Sequence, residues 1–153
     1  MHLYLIRHAH ALDGNDDAAR PLSPKGLKQV RKLADLLRNT EAFEAGEIWH
    51  SPLRRAHETA GLLAKRLKLG TKLKEVAGLT PDDSVDRIAA KLGELRRPVA
   101  VVGHEPHLSA LASLLVVGQA APPRFKLKKC AALRLDRADG GWSVRWLVSP
   151  DLF

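Results

Sequence analysis

Four basic or imidazole side chains stand just beyond predicted strands, from where they could act on one anionic ligand. Arg7 and His8 follow the apolar run at residues 3–6. Arg55 lies near the start of a helical pattern, and His104 follows a second apolar run. Arginine forks bind phosphoryl oxygens in bidentate fashion, and each charge-assisted hydrogen bond contributes roughly 1.5–3 kcal/mol. The pattern therefore indicates a site for a phosphoryl group.

The two histidines could divide the chemistry of phosphoryl transfer between them. Surrounding positive charge should lower the pKa of His8, which keeps its imidazole neutral and nucleophilic near pH 7. With Nδ1–H held by a carbonyl group, His8 could attack phosphorus through Nε2, and His104 could donate a hydrogen bond to an equatorial oxygen. The arginines would stabilise charge in the transition state.

Short apolar runs alternate with amphipathic helical patterns along the chain. Strands are predicted at residues 2–7, 47–50, 72–76 and 99–103. Helices are predicted after the N-caps Ser23 and Ser51, each followed by Pro, over residues 84–95, and from Pro106 onward. Alternating residues at 125–137 and 142–148 flank a turn and predict a β-hairpin.

This order of elements predicts an α/β fold in one domain spanning residues 1–153. A three-layer arrangement is expected, with a mostly parallel central sheet, helices on both faces and a C-terminal β-hairpin. In open sheets of this kind, ligands bind beyond the carboxyl ends of the strands. Arg7 with His8, Arg55 and His104 should therefore gather on one rim of the sheet.

The composition narrows the range of partners and compartments. The 153 residues suffice for a core without disulfides, and the single cysteine, Cys130, allows no intrachain disulfide, so a reducing, cytoplasmic setting is expected. No segment approaches the roughly 18 apolar residues of a membrane span, and the N-terminal apolar run is too short for a signal peptide.

Lys and Arg total 25 against 17 Asp and Glu, a net charge of +8 that suits an anionic partner. Aromatic residues are only 5% and do not interleave with the basic ones, which argues against nucleic acid.

Four motifs in this order and spacing resemble the histidine phosphatase superfamily along nearly the whole chain. They are LYLIRHAH at 3–10, RPLSPKG at 20–26, SPLRRAHETA at 51–60 and VVGHEPHLS at 101–109. The short length, GLTP at 78–81 and the closing hairpin with two tryptophans resemble its small SixA-type phosphohistidine phosphatases. The resemblance implies a phosphoglycerate mutase-like fold and a phosphatase that works through a phosphohistidine enzyme intermediate, without metal or cofactor.

The resemblance also implies roles for individual residues. His8 matches the nucleophile, Arg7 the arginine beside it, and His104 the second catalytic histidine. In the R-A-x-x-T signature the arginine before Ala is the phosphate ligand, which implies this role for Arg55 and an exposed position for its neighbour. Arg20 matches a further position of the phosphate pocket.

Two departures from the family pattern leave questions open. The usual Arg-His-Gly carries Ala9 in place of glycine, which is tolerable if φ is negative there or if strain is offset elsewhere. The role of His10 is open. No carboxylate occupies residues 78–81 as general acid, and the remaining nominees in this part of the chain are Glu75, Asp82 and Asp83. A phosphohistidine substrate fits that absence, because its imidazole leaves with less help from an acid than an alkoxide does.

Three other readings compete with a phosphatase acting on phosphohistidine in a protein of the histidine-containing phosphotransfer type. One is a phosphatase for a small phosphomonoester, and another is a phosphate-binding module that has lost catalysis. The third is a metal hydrolase using His8 and His10 with other histidines (His57, His104 and His107), but the (β/α)₈ barrels that carry such motifs need about 250 residues. The oligomeric state is left open, with a monomer as the expectation.

Overall fold

The computed structural model describes residues 1–68 and 70–153. Within them, six strands form one sheet: β1 His2–Arg7, β2 Glu47–His50, β3 Lys72–Glu75, β4 Val99–Gly103, β5 Ala132–Ala138 and β6 Gly141–Val148. Four α-helices connect them: α1 Pro24–Asn39, α2 Arg54–Leu67, α3 Asp86–Gly93 and α4 His107–Val117. Short 3₁₀ helices occupy Asp17–Ala19 and Pro150–Leu152. No helix of this described part is long and apolar enough to cross a membrane.

The strand order is β3-β2-β4-β1-β5-β6. The first four strands are parallel, β5 runs antiparallel to β1, and β6 pairs antiparallel with β5. Strand β1 lies inside the sheet, so its side chains at residues 3–6 are fully buried. The predicted α/β class, the parallel core of the sheet and the appended hairpin are confirmed.

Helices cover both faces of the sheet, as predicted. Helices α1 and α2 bury their apolar stripes against one face, together with Tyr4, Ile6 and Ile48. Helices α3 and α4 pack on the other face, where Leu3 and Leu5 point. Because β1 and β4 are covered on both faces, the residues directly after their carboxyl ends lie next to the dry core of the protein.

Helix α1 begins where the sequence predicts it. The Ser23 hydroxyl accepts a hydrogen bond from the N–H of Gly26 at 3.0 Å, and Pro24 occupies the first helical position. Glycine is required at position 26 because a Cβ there would collide with the carbonyl oxygen of His10. This close approach packs the start of α1 against the segment that follows β1.

The predicted N-cap at Ser51 is wrong. Helix α2 begins at Arg54, and its N-cap, Leu53, offers no side-chain hydrogen bond. The Ser51 hydroxyl instead forms a hydrogen bond with His104 on the neighbouring strand end. Ser-Pro predicted a cap from local chemistry, but the Ser51 hydroxyl bonds His104, which is distant in sequence, and its local contact is with the N–H of Leu53, before the helix begins.

Strands β1, β2 and β4 have the predicted bounds, but three other elements are shorter than predicted. Strand β3 ends at Glu75, and α3 covers Asp86–Gly93 rather than 84–95. The first hairpin strand begins at Ala132 rather than at residue 125. The segment before it, residues 125–131, forms a loop against the end of β1, where Cys130 donates its N–H to the carbonyl oxygens of Arg7 and His8 at 3.1 Å each.

Candidate active site

The carboxyl ends of β1 and β4 lie side by side and bring the two predicted histidines together. Arg7 is in register with Gly103, and the N–H of His8 donates to the Gly103 carbonyl oxygen at 2.9 Å. The ring centroids of His8 and His104 are 5.0 Å apart. Both rings are buried, with 6% and 1% of the residue exposed. The expected meeting of these strand ends is therefore confirmed.

His8 is held in a form suited to nucleophilic attack. Its Nδ1 lies 2.7 Å from the Ala9 carbonyl oxygen, an acceptor that requires the proton on Nδ1 and leaves the Nε2 lone pair unprotonated. Burial lowers the pKa of His8 to about 4, and the charges of Arg55 and Arg7 act in the same direction against the opposing Ala9 contact. The imidazole is consequently neutral near pH 7.

His104 is also neutral and is oriented by a hydroxyl group. Burial, followed by the charges of His8 and Arg55, lowers the pKa of His104 to about 3. Its Nε2 lies 2.5 Å from the Ser51 hydroxyl oxygen, while Nδ1 is buried and meets no hydrogen-bond partner among residues 1–68 and 70–153. Ser51 therefore fixes the ring plane of His104 beside His8.

Arg55 enters the site from the first turn of α2. Its side chain is 7% exposed, and Nη1 donates to the Asp17 carbonyl oxygen at 2.9 Å. Nη2 lies 3.3 Å from Oδ2 of the same residue. A helix N-terminus carries partial positive charge, so Arg55 adds a full charge where an anion is already favoured.

The R-A-x-x-T pattern has a structural reason in this chain. The Thr59 hydroxyl donates to the Arg55 carbonyl oxygen at 2.7 Å and accepts the N–H of Ala9 at 3.1 Å. Thr59 therefore ties α2 to the residue directly after His8. Arg54, in contrast, is 55% exposed and pairs with Glu58, so the arginine doublet divides into one buried and one surface residue as the resemblance implied.

Arg7 lies on the opposite side of His8, toward the loop at residues 125–131. Its Nη1 donates to the Leu127 carbonyl oxygen at 3.0 Å. Burial lowers the pKa of its guanidinium, and the carboxylate of Glu105 opposes that effect. Its charge lowers the pKa of His8, as does that of Arg55.

Arg20 is linked to the site through Asp17. Its Nε donates to the Leu12 carbonyl oxygen at 2.8 Å, and Nη1 contacts Oδ1 of Asp17 at 3.1 Å. Asp17 thus links Arg20 to Arg55, and both arginines lower the pKa of its carboxyl group. The sequence did not single out Asp17, because a carboxylate in the polar segment DGNDDAA resembles an ordinary solvated loop.

The two departures from the family motif have different explanations. Ala9 does not adopt a positive φ and is fully buried in the core, so its methyl group is tolerated. His10 turns away from His8 toward α1: its Nδ1 lies 2.6 Å from the Ser23 hydroxyl oxygen, and its N–H donates to Gln29. His10 therefore contributes to the start of α1 rather than to the site.

The histidines do not assemble into the alternative metal site. His57 stacks on His50 with ring centroids 4.6 Å apart, whereas His10 contacts the Ser23 hydroxyl. Within the described ranges, no group of three or more His, Cys, Asp or Glu side chains is arranged to hold a metal ion.

The nominated acids lie at the edge of the sheet. Glu75 is exposed on β3, and Asp82 and Asp83 are exposed in the segment that follows. The Asp83 carboxylate accepts the N–H of Thr80 at 2.8 Å, and its hydrogen bonds with Thr80 lower the pKa of Asp83. Strand β3 stands two strands away from β4, roughly 10 Å at the usual spacing, which places Glu75 away from the strand ends that precede His8 and His104. Asp83 is closer, because its charge and that of His107 affect each other's pKa, but its side chain is exposed.

Comparisons with known proteins agree with this geometry. The profile of the histidine phosphatase superfamily (branch 1) matches residues 3–80. The phosphohistidine phosphatase SixA of Escherichia coli (strain K12) is 30% identical over 155 residues, covering 98% of this chain and 94% of that protein. The structure of the protein histidine phosphatase SixA complexed with tungstate superposes with a TM-score of 0.88 at 26% identity, covering 99% of both chains.

A more distant likeness shows that the fold is shared more widely. The alpha-ribazole phosphatase from Shigella flexneri matches with a TM-score of 0.82 at 20% identity, covering 98% of this chain and 97% of that one. At this identity the match concerns the fold alone. The superfamily profile matches half of the chain, and SixA of E. coli is 30% identical over nearly its whole length. The chain therefore belongs to the histidine phosphatase superfamily and is a phosphatase homologous to SixA.

Proposed function

We propose that the chain hydrolyses phosphohistidine in a protein substrate through a phosphohistidine intermediate on His8. One observation carries the proposal: His8 is buried and neutral, its Nδ1 is tied to the Ala9 carbonyl oxygen, and His104 and two arginines surround it. A nucleophile needs an available lone pair, and this arrangement leaves one on Nε2.

In the first step, the Nε2 lone pair of His8 forms a bond to phosphorus while the bond from phosphorus to the substrate's leaving atom breaks. Arg7 and Arg55 bind the non-bridging oxygens, and His104 donates a hydrogen bond to one of them. The phosphoryl group competes with the Asp17 carboxylate for Nη2 of Arg55, a contact of 3.3 Å that is long enough to be exchanged.

In the second step, water attacks the phosphorus of the phosphorylated His8. The bond between Nε2 and phosphorus breaks, its electron pair returns to the imidazole, and inorganic phosphate leaves with the water oxygen. The low pKa of His8, about 4, makes its neutral imidazole a stable leaving group, so the same property serves both steps.

The carboxylate nearest the arginines favours phosphohistidine over an alkyl phosphate. Arg20 and Arg55 hold the pKa of Asp17 below its usual range, so this group is ionised near neutral pH and is a poor proton donor. An alkoxide needs a general acid to depart, whereas the imidazole of phosphohistidine can carry a proton on its other ring nitrogen. The name of the E. coli relative, phosphohistidine phosphatase, agrees with this substrate class.

Turnover of a phosphorylated histidine-containing phosphotransfer domain, compared with a panel of small phosphomonoesters, tests the proposal. We expect a kcat/KM for the phosphoprotein at least about a hundredfold above that for any alkyl phosphate, with loss of both activities in His8→Ala. His57→Ala serves as the control, since His57 is exposed on α2 and stacks only on His50. A preference for an alkyl phosphate would instead establish a small-molecule phosphatase.

A further inference from the structure

The loop at residues 127–131 wraps around the end of β1 and holds one lysine next to the site. Arg7 donates its Nη1 to the Leu127 carbonyl oxygen and its backbone N–H to that of Ala131 at 3.1 Å. Cys130 adopts a left-handed φ of 61° and returns its N–H to the carbonyl oxygens of Arg7 and His8. Lys129 precedes this turn, so its backbone is fixed one residue from the contact with His8.

A carboxylate in the turn between β4 and α4 contacts the same loop from the other side. Glu105 accepts the N–H of Leu127 at 3.3 Å and the N–H of Ser109 at 2.8 Å. The loop is therefore tied both to β1 and to the segment that carries His104. Lys129 is presented by a fixed backbone rather than by a free surface turn.

The side chain of Lys129 is partly buried among other cations. Burial lowers the pKa of Lys129, and Arg7, Arg20 and Lys25 lower it further. Its charge in turn lowers the pKa of both His8 and His10. Lys129 stands at the Arg7 side of the site because the next residue, Cys130, contacts the carbonyl oxygens of Arg7 and His8; Asp13, almost wholly exposed, provides the opposing charge.

The adjacent lysine behaves differently. Lys128 is exposed, and its Nζ forms an ion pair with Asp151 at 2.8 Å. Among the residues that the structure describes, no carboxylate forms an ion pair with Lys129. A partly desolvated ammonium group repelled by three cations is a position where an anion binds favourably.

We infer that Lys129 is a third cation of the phosphoryl site and binds a phosphoryl oxygen of the substrate on the Arg7 side, an inference that rests on the proposed function. Arg55 and His104 bind the phosphoryl group from α2 and β4, and Arg7 binds it from β1. Lys129 adds a contact from the loop before β5, so all four elements around His8 contribute to binding.

The test compares Lys129→Met, Lys129→Arg and the matched control Lys128→Met. Isothermal titration calorimetry with inorganic phosphate measures binding without turnover, and steady-state kinetics with p-nitrophenyl phosphate and a phosphorylated phosphotransfer domain measures KM and kcat. For Lys129→Met we expect a Kd for phosphate and a KM for both substrates about tenfold higher, with kcat lowered less than about threefold. Lys129→Arg should restore most of the loss, and Lys128→Met should match the wild type.

Three results would overturn the inference. One is equal behaviour of Lys129→Met and Lys128→Met. Another is an effect confined to the phosphoprotein, which would make Lys129 a contact to the protein partner rather than to the phosphoryl group. The third is no binding of phosphate to the wild type. A different result would contradict the proposed function alone. The wild type would then hydrolyse neither substrate, while calorimetry would still show weaker phosphate binding in Lys129→Met.

Discussion

The inner strands and the edge strand of the parallel part of the sheet place ionisable groups in different surroundings. At the inner strands β1 and β4, burial keeps His8 and His104 neutral at pH 7. At the edge strand β3 and the segment after it, Glu75 and Asp83 are exposed, and nothing removes them from water. Position within the sheet therefore decides the environment of these groups: the centre keeps two histidines neutral, while the edge leaves the carboxylates exposed to water.

The arginine doublet allows this difference to be tested one residue apart. Arg55 is buried against Asp17, whereas Arg54 is exposed and pairs with Glu58. We expect Arg55→Ala to lower kcat/KM by about a thousandfold, because it removes a charge that acts on the transition state. Arg54→Ala should stay within about twofold of the wild type. Kinetics with p-nitrophenyl phosphate measures both, and equal effects would show that burial does not separate the two roles.

The hydrogen bond of Ser51 tests whether orientation of His104 matters. Ser51→Ala removes the hydroxyl that lies 2.5 Å from Nε2 of His104. We expect kcat to fall by about tenfold with little change in KM, because the ring remains present but is less well positioned. Thr40→Ala, which removes a hydroxyl that donates to the Leu36 carbonyl oxygen at the end of α1, is a control far from the site. Unchanged kcat in Ser51→Ala would show that Ser51 does not position His104 for catalysis.

The buried histidines predict a dependence of stability on pH. The pKa of His8 is about 4 and that of His104 about 3, both below the unfolded value near 6.5, so the unfolded chain binds more protons between those values. Stability contributed by these residues is complete above pH 6.5 and is lost as the pH falls toward 4. We expect the unfolding free energy to decrease by about 2 kcal/mol for each histidine between pH 6.5 and 4.5.

Urea unfolding at the two pH values measures this loss. His8→Asn should reduce the pH dependence by about 2 kcal/mol, the share of one histidine, because it keeps a polar side chain while His104 and His107, whose pKa values burial also lowers, remain. His57→Asn, at an exposed histidine, should leave the dependence as in the wild type. A pH dependence that His8→Asn does not change would contradict the neutral, buried state assigned to His8.

The smallest effects are expected at the edge. Glu75→Gln and Asp83→Asn should each leave kcat for the phosphoprotein within about twofold of the wild type, since both groups stand outside the buried site and phosphohistidine needs little acid. A loss of tenfold or more in either variant would show that the segment after β3 reaches the substrate. The leaving group would then depend on an acid from that edge.

The sequence predicts the centre of the sheet better than its surroundings. Apolar runs define β1 and β4, and parallel strands end at a common rim, so the meeting of His8 and His104 follows from these two facts. The sequence did not predict Ser51 and Asp17 as site residues, because their roles depend on partners far away in the chain. Local chemistry indicated only a helix cap for one and a solvated loop for the other.

The predicted start of the first hairpin strand was wrong for a related reason. Residues 125–131 alternate as a strand would, but their backbone groups bind the end of β1 at Arg7 and His8 instead of extending the pairing with β6. Period-two patterning does not distinguish a paired strand from a loop that crosses a strand end. That crossing is what brings Lys129 to the site.

Direct detection of phosphorylated His8 tests whether this residue is the nucleophile that becomes phosphorylated during turnover. The enzyme is mixed with a phosphorylated phosphotransfer domain, quenched at alkaline pH within milliseconds and analysed by intact-mass and peptide mass spectrometry. We expect a transient adduct of one phosphoryl group on His8, labile in acid and absent from His8→Ala, that forms and decays at rates consistent with kcat. Turnover without such an adduct, or an adduct on another residue, would contradict it.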